Sequence, residues 1–518
     1  MRLLRFALPR ECRIFSFGAS ALLSAIVACA GLTGAGLTSA GAANEPLRLP
    51  EMGDPASIVL SPTQEAVLGE TLLTQIRGAL RVSADPELND YIKALGTRLA
   101  AAGLESGLDF KFLLVNDSTI NAFAAPGGIV AINTGLLLTA HSESELAGVM
   151  AHEMAHVEQR HLARSYANAG TINLQTALAV LASILAGAYG GADVGQAALL
   201  SSMAAGAQAQ LAFSRANEQE ADRVGIRLLA AARFDPQGMP AFLQRLHQYS
   251  QLNAGPVPEY LSTHPVTLSR VSDTRSRAAQ FSGPFSKDSA RFHFAKARAL
   301  ALTSDPNSLI SQYEETQRAG RANDTTDRYV YALALMRAGE PERGIETLRT
   351  IEETPDSSLP VDLALAQAYL SAGDPELALE RLQRLNEIYP EQESIIYYLA
   401  QALTDAGRPR DALNHLEEVT RVEGHNPALD QLKAQAAAEA DLPWISHESL
   451  ADYYGAYGHF GAAVEQLELA LNAKGIDPIA RARIRSKRDR LTELQRENPP
   501  GEQLPSRGGS FAGEHAHH

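Results

Sequence analysis

The sequence predicts a mainly helical chain in two parts: an α+β domain with a small sheet, then an α-superhelical array of helix pairs. Three observations carry that expectation. Apolar residues recur at helical spacing around His152-Glu153-Met154-Ala155-His156. Two short β-branched or aromatic runs, from Leu108 to Val115 and from Ile129 to Ile132, stand just before that helix. Beyond about residue 290, Ala338-Gly339-Glu340-Pro341, Ala372-Gly373-Asp374-Pro375 and Ala406-Gly407-Arg408-Pro409 bring a glycine every 34 residues.

A chain of 518 residues exceeds one ordinary domain, and 45% hydrophobic with 20% charged residues is a globular composition. A net charge of −15 argues against a nucleic-acid surface and gives no reason to expect attraction to anionic headgroups. Both cysteines, Cys12 and Cys29, lie in the first thirty residues, so the remainder cannot depend on disulfides.

Arg2, Arg5, Arg10 and Arg13 precede an apolar run from Ile14 to Leu37 and the small residues Ala40-Gly41-Ala42-Ala43. Residues 1–43 therefore read as a secretory signal peptide, with cleavage after Ala42 or Ala43. Ile26-Val27-Ala28-Cys29 resembles a lipobox, which makes a lipid anchor at Cys29 the second reading; an uncleaved membrane anchor is the third. All three carry the rest of the chain out of the cytoplasm. The Pro-rich residues 44–61 read as a linker.

Ser61-Pro62 and Asp85-Pro86 each start a helix, the second running through Leu99. Pro126-Gly127-Gly128 makes a tight turn before the strand at Ile129, which is either a sheet edge open to an added peptide strand or part of a buried hairpin. Ser142 with Glu145 three residues on has the form of a capping box for the central helix. Residues 171–212 are Ala/Gly/Leu-rich with one charge, Asp193, and read as a buried or cleft-covering helical pair. The lesser alternative there is a loop making peripheral membrane contact.

On the central helix His152 and His156 are four residues apart and share one face, so two neutral imidazoles supply half of a tetrahedral zinc site. Glu153 beside them can act on a zinc-bound water. A third ligand is needed, and Glu218-Gln219-Glu220-Ala221-Asp222 offers one: Glu218 and Asp222 also share a helical face. Glu218 can complete the protein's share of the coordination, and Asp222 can orient a ligand imidazole. Glu220 points away and reads as solvent-facing. His161, about 140° round a continued helix from His156, is not a ligand from that helix. In Ser262-Thr263-His264-Pro265 the residue before proline is extended, which suits His264 to a cleft as an oxyanion stabiliser or a removable fourth ligand. Arg270 is a candidate for neutralising developing negative charge.

H-E-x-x-H, then E-x-x-x-D, then T-H-P-x-x-x-x-R, with N-A-F-A and P-G-G upstream, resemble the zinc metalloendopeptidases related to the CAAX prenyl endopeptidase and the heat-shock membrane protease HtpX. The resemblance covers roughly residues 60–275 and implies a zincin-type metallopeptidase domain, bounded at 62–280, with one Zn2+ per chain. By position it implies His152, His156 and Glu218 as zinc ligands, Glu153 as general base and Asp222 as partner of a ligand histidine. It carries His264 and Arg270 less uniformly. The metzincin pattern fails, because Leu162 stands where its third histidine would be. Membrane-embedded relatives hold the site among spanning helices, none of which is evident here after residue 43.

The 34-residue period is the tetratricopeptide one, with a degenerate unit at Tyr454-Gly455-Ala456-Tyr457-Gly458, so residues 288–495 read as a repeat domain with a concave surface. Residues 496–518 read as a disordered tail. An export signal, this peptidase type and a repeat array in one chain together resemble periplasmic proteases of Gram-negative bacteria. The implied function is degradation of stalled or misassembled outer-membrane proteins, with the repeats engaging the outer-membrane barrel-assembly machinery or the unfolded substrate. Two rival readings are a chaperone or assembly scaffold with a gated, mostly idle metal site, and a lipid-anchored housekeeping protease of broad specificity.

Overall fold

The computed structural model describes residues 61–104, 108–164, 214–252, 258–320, 324–351, 358–423 and 426–497. Residues 1–43, expected as a signal peptide and holding Cys12 and Cys29, the expected linker up to residue 60, the stretch 171–212 and the residues beyond Glu497 lie outside the described residues. No described helix is long and apolar enough to cross a membrane.

Helix α1 (Pro62–Ala79) starts with a reciprocal cap: Gln64 N–H donates to Ser61 Oγ (3.3 Å) and Ser61 N–H donates to Gln64 Oε1 (2.9 Å). Asp85 caps α2 (Pro86–Ala101) by accepting from Leu88 N–H at 2.9 Å. Strands β1 (Lys111–Val115), β2 (Ala122–Ala125) and β3 (Ile129–Asn133) form one sheet in the order β1-β3-β2. β1 runs parallel to β3, with Leu114 opposite Ile132, and β2 runs antiparallel to it, with Phe123 opposite Ala131. Gly127 and Gly128 both have φ +81°, the left-handed backbone that closes this hairpin.

The position of β3 corrects one expectation. It is the central strand, buried at all five positions, and both its sides are paired, so it offers no edge. The hairpin reading stands. The outer side of β1 is met by Val82 bridging to Val115, which leaves β2 as the edge of the sheet among the described residues.

A short helix, α3 (Thr134–Thr139), leads into α4 (Glu143–Glu158), which is buried at every residue from Glu143 to Val157. The expected capping box is half formed. Ser142 Oγ accepts from Glu145 N–H (3.2 Å), but the Glu145 carboxylate turns to His141 N–H (2.7 Å) and to Arg245. Although no Gly or Pro interrupts the sequence, α4 stops at Glu158, and Arg160 takes a left-handed φ of +49°.

Helix α5 (Arg215–Ala231) lies along α4. A Cβ on Gly225 would stand 3.2 Å from both Ala151 C and His152 N, so glycine lets the two backbones approach at the level of the first histidine. Helices α6 (Gly238–Leu252), α7 (Glu259–Thr263) and α8 (Leu268–Ala278) complete this part. Its larger core buries Leu88, Leu114, Ile132, Met150, Leu228 and Phe242 together, and a second one joins α1 to the sheet through Leu72, Ile76, Val115 and Ile129. Each such side chain contributes about 1.5–3 kcal/mol by leaving water.

The second part is a series of helix pairs: α9 (Ala290–Thr303) with α10 (Pro306–Arg318), α11 (Thr325–Arg337) with α12 (Pro341–Arg349), α13 (Ser358–Ser371) with α14 (Pro375–Ile388), and α15 (Glu393–Asp405) with α16 (Pro409–Glu423). Then come α17 (Pro427–Glu439), α18 (Pro443–Ala456), α19 (Phe460–Asn472) and α20 (Pro478–Glu497). Gly339, Gly373, Gly407 and Gly458 have φ between +72° and +83°, and the residue after each donates to the carbonyl five residues back, as in Glu340 N–H to Leu335 O at 2.9 Å. Asp441 makes the same turn between α17 and α18, with φ +58° and Leu442 N–H donating to Ala437 O at 2.9 Å. A search for glycine turns passes over that one, because aspartate can hold the left-handed conformation through its short polar side chain.

The repeats and the first part meet through buried charge. Arg298 of α9 donates to Asp85 (2.7–2.9 Å), to Gln367 (3.1 Å) and to Tyr398 (3.0 Å), and lies 2.8 Å from Glu87. Asp90 accepts from Ser394 N–H (2.8 Å) and Gln392 Nε2 (2.7 Å). The leading helices of four successive units, α9, α11, α13 and α15, thus turn Arg298, Tyr329, Gln367 and Tyr398 toward the N-terminus of α2. Part of the surface expected to receive partners is already filled by the chain itself.

Candidate metal centre

Four helices bring the site together. Helix α4 supplies His152, Glu153 and His156; α5 supplies Glu218 and Asp222; the end of α7 and the start of α8 supply His264 and Arg270. All seven are buried, Glu153 completely. His264, just before Pro265, caps α7 with φ −124° and ψ +79°, outside the helix, and its ring stacks on Tyr260 at 4.8 Å.

One ligating atom from each of His152, His156, Glu218 and His264 lies within 4.8 Å of every other. His152 Nε2 is 3.0 Å from His156 Nε2 and 3.4 Å from His264 Nδ1. Glu218 Oε1 is 3.0 Å from His264 Nδ1 and 3.4 Å from His156 Nε2, and its Oε2 is 3.5 Å from His152 Nε2. Four donors at about 2.0–2.1 Å from a tetrahedral zinc stand about 3.3 Å apart. The residues therefore fit such an ion by spacing, and by chemistry, since nitrogen and carboxylate lone pairs converge.

A shell of oriented contacts surrounds the cluster. His152 Nδ1 lies 3.0 Å from Asp222 Oδ1, which fixes the ring so that Nε2 faces inward. Arg270 holds Asp222 from the other side with two bonds, Nε to Oδ2 at 2.9 Å and Nη2 to Oδ1 at 2.8 Å, and donates from Nη1 to Pro265 O at 2.9 Å. The same Nη1 is 2.7 Å from Glu218 Oε2, close enough for strong attraction but outside hydrogen-bond geometry. The guanidinium is thus committed to Asp222 and Glu218 rather than turned to open space.

Burial is the largest single influence on His152, Glu153, His156, Glu218 and Asp222, and the partners decide whether it prevails. Burial pushes Glu153 above the usual carboxylate range and takes His156 well below the usual imidazole range. At Glu218 burial is outweighed by His264 and by hydrogen bonds from His152 and His156, which hold the carboxylate ionised. Asp222 is likewise held low, by His152 and Arg270. At His152 burial opposes but Asp222 and Glu218 win, pushing it up to about 10, so protons and a metal ion compete for its inward nitrogen.

Two expectations about neighbours need correction. Glu220 faces solvent only in part: it accepts from His161 Nε2 and Arg164 Nη1, both at 3.2 Å, and its side chain is 27% exposed. The 140° offset inferred for His161 presumed a continuous helix. Because α4 breaks at Arg160, His161 turns back to place Nδ1 2.9 Å from His156 Nδ1, although it is still no member of the ligand cluster. Tyr260 is the other residue that sequence reasoning passed over; its place four residues before His264, one turn back, was the available signal.

The fold and site define a metallopeptidase joined to a helical repeat. Residues 86–278 match Peptidase family M48, and residues 369–436 match the Tetratricopeptide repeat. The "Beta-barrel assembly-enhancing protease" of Escherichia coli (strain K12) is 38% identical over 319 residues, 61% of this chain and 65% of that protein. The "Putative beta-barrel assembly-enhancing protease" of Vibrio cholerae is 37% identical over 325 residues, 62% of this chain and 67% of its own length. A "Protease HtpX homolog" of Paraburkholderia phytofirmans is 31% identical, with 36% of this chain matching 72% of that protein. The chain belongs to peptidase family M48, while spanning just under two thirds of the Escherichia coli relative's length.

Proposed function

We propose that the chain is a zinc-dependent endopeptidase of the periplasm that hydrolyses misfolded or stalled outer-membrane proteins, with its repeats docking the barrel-assembly machinery or the substrate. The observation that carries the catalytic part is Glu153. It is completely buried beside the ligand cluster, yet neither carboxylate oxygen has a hydrogen-bond partner among the described residues. Such an orphaned pair costs stability and has no structural use; a water and a scissile amide would satisfy it. The role in outer-membrane protein assembly is supported by the names of the relatives and by the repeat array.

His152, His156 and Glu218 would hold the ion. Zinc bound there supplies a water of lowered pKa and polarisation of the substrate carbonyl. Glu153, its pKa raised by burial, would take the proton of the attacking water and return it to the leaving amine. Asp222 orients His152, and Arg270 keeps Asp222 and Glu218 ionised and in place. β2, the edge of the sheet among the described residues, flanks a small cleft lined by Ala124, Ala125, Pro126, His156 and Arg160, along which an extended substrate chain would pair.

One observation favours a gated enzyme over a constantly active one. His264 Nδ1 stands among the ligating atoms and its Nε2 is 3.5 Å from Glu153 Oε1, so this histidine fills the position that water and substrate need. Its displacement would then precede turnover, after which it can serve the oxyanion.

The test is cleavage of an unfolded outer-membrane β-barrel protein by the purified chain beside Glu153→Gln and His264→Ala, with zinc measured on each. Cleavage by the unaltered chain but not by Glu153→Gln, with equal zinc, supports the proposal. Cleavage by His264→Ala alone supports the gate. Zinc without cleavage in all three overturns the protease reading and leaves a scaffold.

A further inference from the structure

We infer that His161 and Glu220 are positioning residues that fix the proton of the second histidine ligand, His156, so that its Nε2 is presented bare to the metal ion. The inference rests on the metal-site reading above. The two ligand histidines of α4 are held in different ways. His152 has a carboxylate directly at Nδ1, from Asp222 at 3.0 Å. His156 has another imidazole there, His161 Nδ1 at 2.9 Å, and behind it Glu220 Oε2 at 3.2 Å from His161 Nε2.

The direction of every bond in this chain follows from its outer end. A carboxylate only accepts, so His161 Nε2 carries the hydrogen donated to Glu220. A neutral imidazole has one N–H, so His161 Nδ1 is a lone pair, and His156 Nδ1 must be the donor at 2.9 Å. His156 Nε2 is left unprotonated, facing the cluster 3.0 Å from His152 Nε2. The opposite arrangement would put a hydrogen on His156 Nε2 and disable it as a ligand.

The backbone is bent to allow this. On a continued α4, His161 would face away from His156; the left-handed Arg160 folds the chain back until the two rings meet edge to face, 4.9 Å apart at 74°. A non-glycine residue at φ +49° is held only by surrounding contacts. Here the Arg160 guanidinium is tied to Glu65 of α1 at 2.9–3.1 Å. Glu220 is fixed in turn by Arg164 at 3.2 Å, and His161 is wholly buried. The orienting chain thus ends on α5, one turn of the same helix that carries Glu218 and Asp222.

The test is zinc affinity by chelator competition on the full chain, unaltered and with His161→Phe, His161→Gln and Glu220→Gln, alongside nitrogen-15 NMR of the His156 tautomer. Phenylalanine keeps the ring volume but cannot accept; the glutamine oxygen can. His161→Phe should weaken zinc binding about 10–100-fold and mix the His156 tautomers, while His161→Gln restores most of both. Glu220→Gln should fall between. Zinc binding by His161→Phe equal to that of the unaltered chain overturns the inference, as does equal loss in the Phe and Gln variants, which would mark a packing role. Absence of zinc binding by the unaltered chain overturns the metal site itself, and zinc binding without proteolysis leaves this test intact.

Discussion

The molecule buries charge in two places, and the two are built on opposite rules. At the joint between α2 and the repeats, Arg298 is surrounded by Asp85, Glu87, Gln367, Tyr329 and Tyr398, and its donors have named partners. At the metal centre, four ligating groups converge on one another and both oxygens of Glu153 lack hydrogen-bond partners among the described residues. Desolvation is comparably severe in both, since Arg298 is 4% and Glu153 0% exposed. What differs is completion. A cluster whose bonds close on themselves holds parts together; one that leaves acceptors open holds a place for something else.

Substitutions in the two clusters should therefore diverge. Glu153→Gln should reduce proteolysis by about 10²–10⁴-fold with no loss of melting temperature, measured by substrate cleavage and calorimetry on one preparation. A large drop in melting temperature would mean that Glu153 is structural and the contrast false. Arg298→Ala should do the reverse, costing about 3–5 kcal/mol in urea unfolding because Asp85 and Glu87 are left buried without their cation. A cost under about 1 kcal/mol, the scale of an exposed pair, would show that the joint opens in solution.

Asp222→Asn sharpens the comparison within the metal centre: zinc affinity should fall about 10–100-fold, read by chelator competition, with the ligands themselves unchanged. The smallest effect is one of pH at the joint. Burial, with Asp85 and Asp90 adding to it, pushes Glu87 up to about 8 from the usual 4.5, against the attraction of Arg298. A raised folded-state value means that the proton stabilises the fold fully below about pH 4.5 and is lost as pH rises through about 8. The unaltered chain should lose melting temperature over that window relative to Glu87→Gln. Parallel curves would show that Glu87 is already ionised.

Much of the site was legible because helical spacing is a local rule. His152 and His156 share a face, as do Glu218 and Asp222, wherever their helices lie, and the 34-residue glycine period needs no tertiary information. What escaped depends on contacts between distant segments. The break at Arg160 has no Gly or Pro to announce it and is held by Glu65, 95 residues away. The central place of β3 follows from a parallel pairing with β1 that alternation along one strand cannot show. Asp441 turns where the neighbouring units use glycine. Docking of α2 against the repeats joins Asp85 to a residue 213 positions later, through polar groups that sequence alone reads as a helix cap and a surface charge.

The Arg298 joint also sets a length. If the repeats grip a client polypeptide, the span from that grip to the metal cannot stretch without tearing Asp85 and Glu87 from their cation. An extended chain advances about 3.3–3.6 Å per residue, so a fixed span is a fixed count of residues. Such a protein would act as a ruler: its cuts would fall at one offset from the gripped segment, and fragments from unrelated clients would share that spacing.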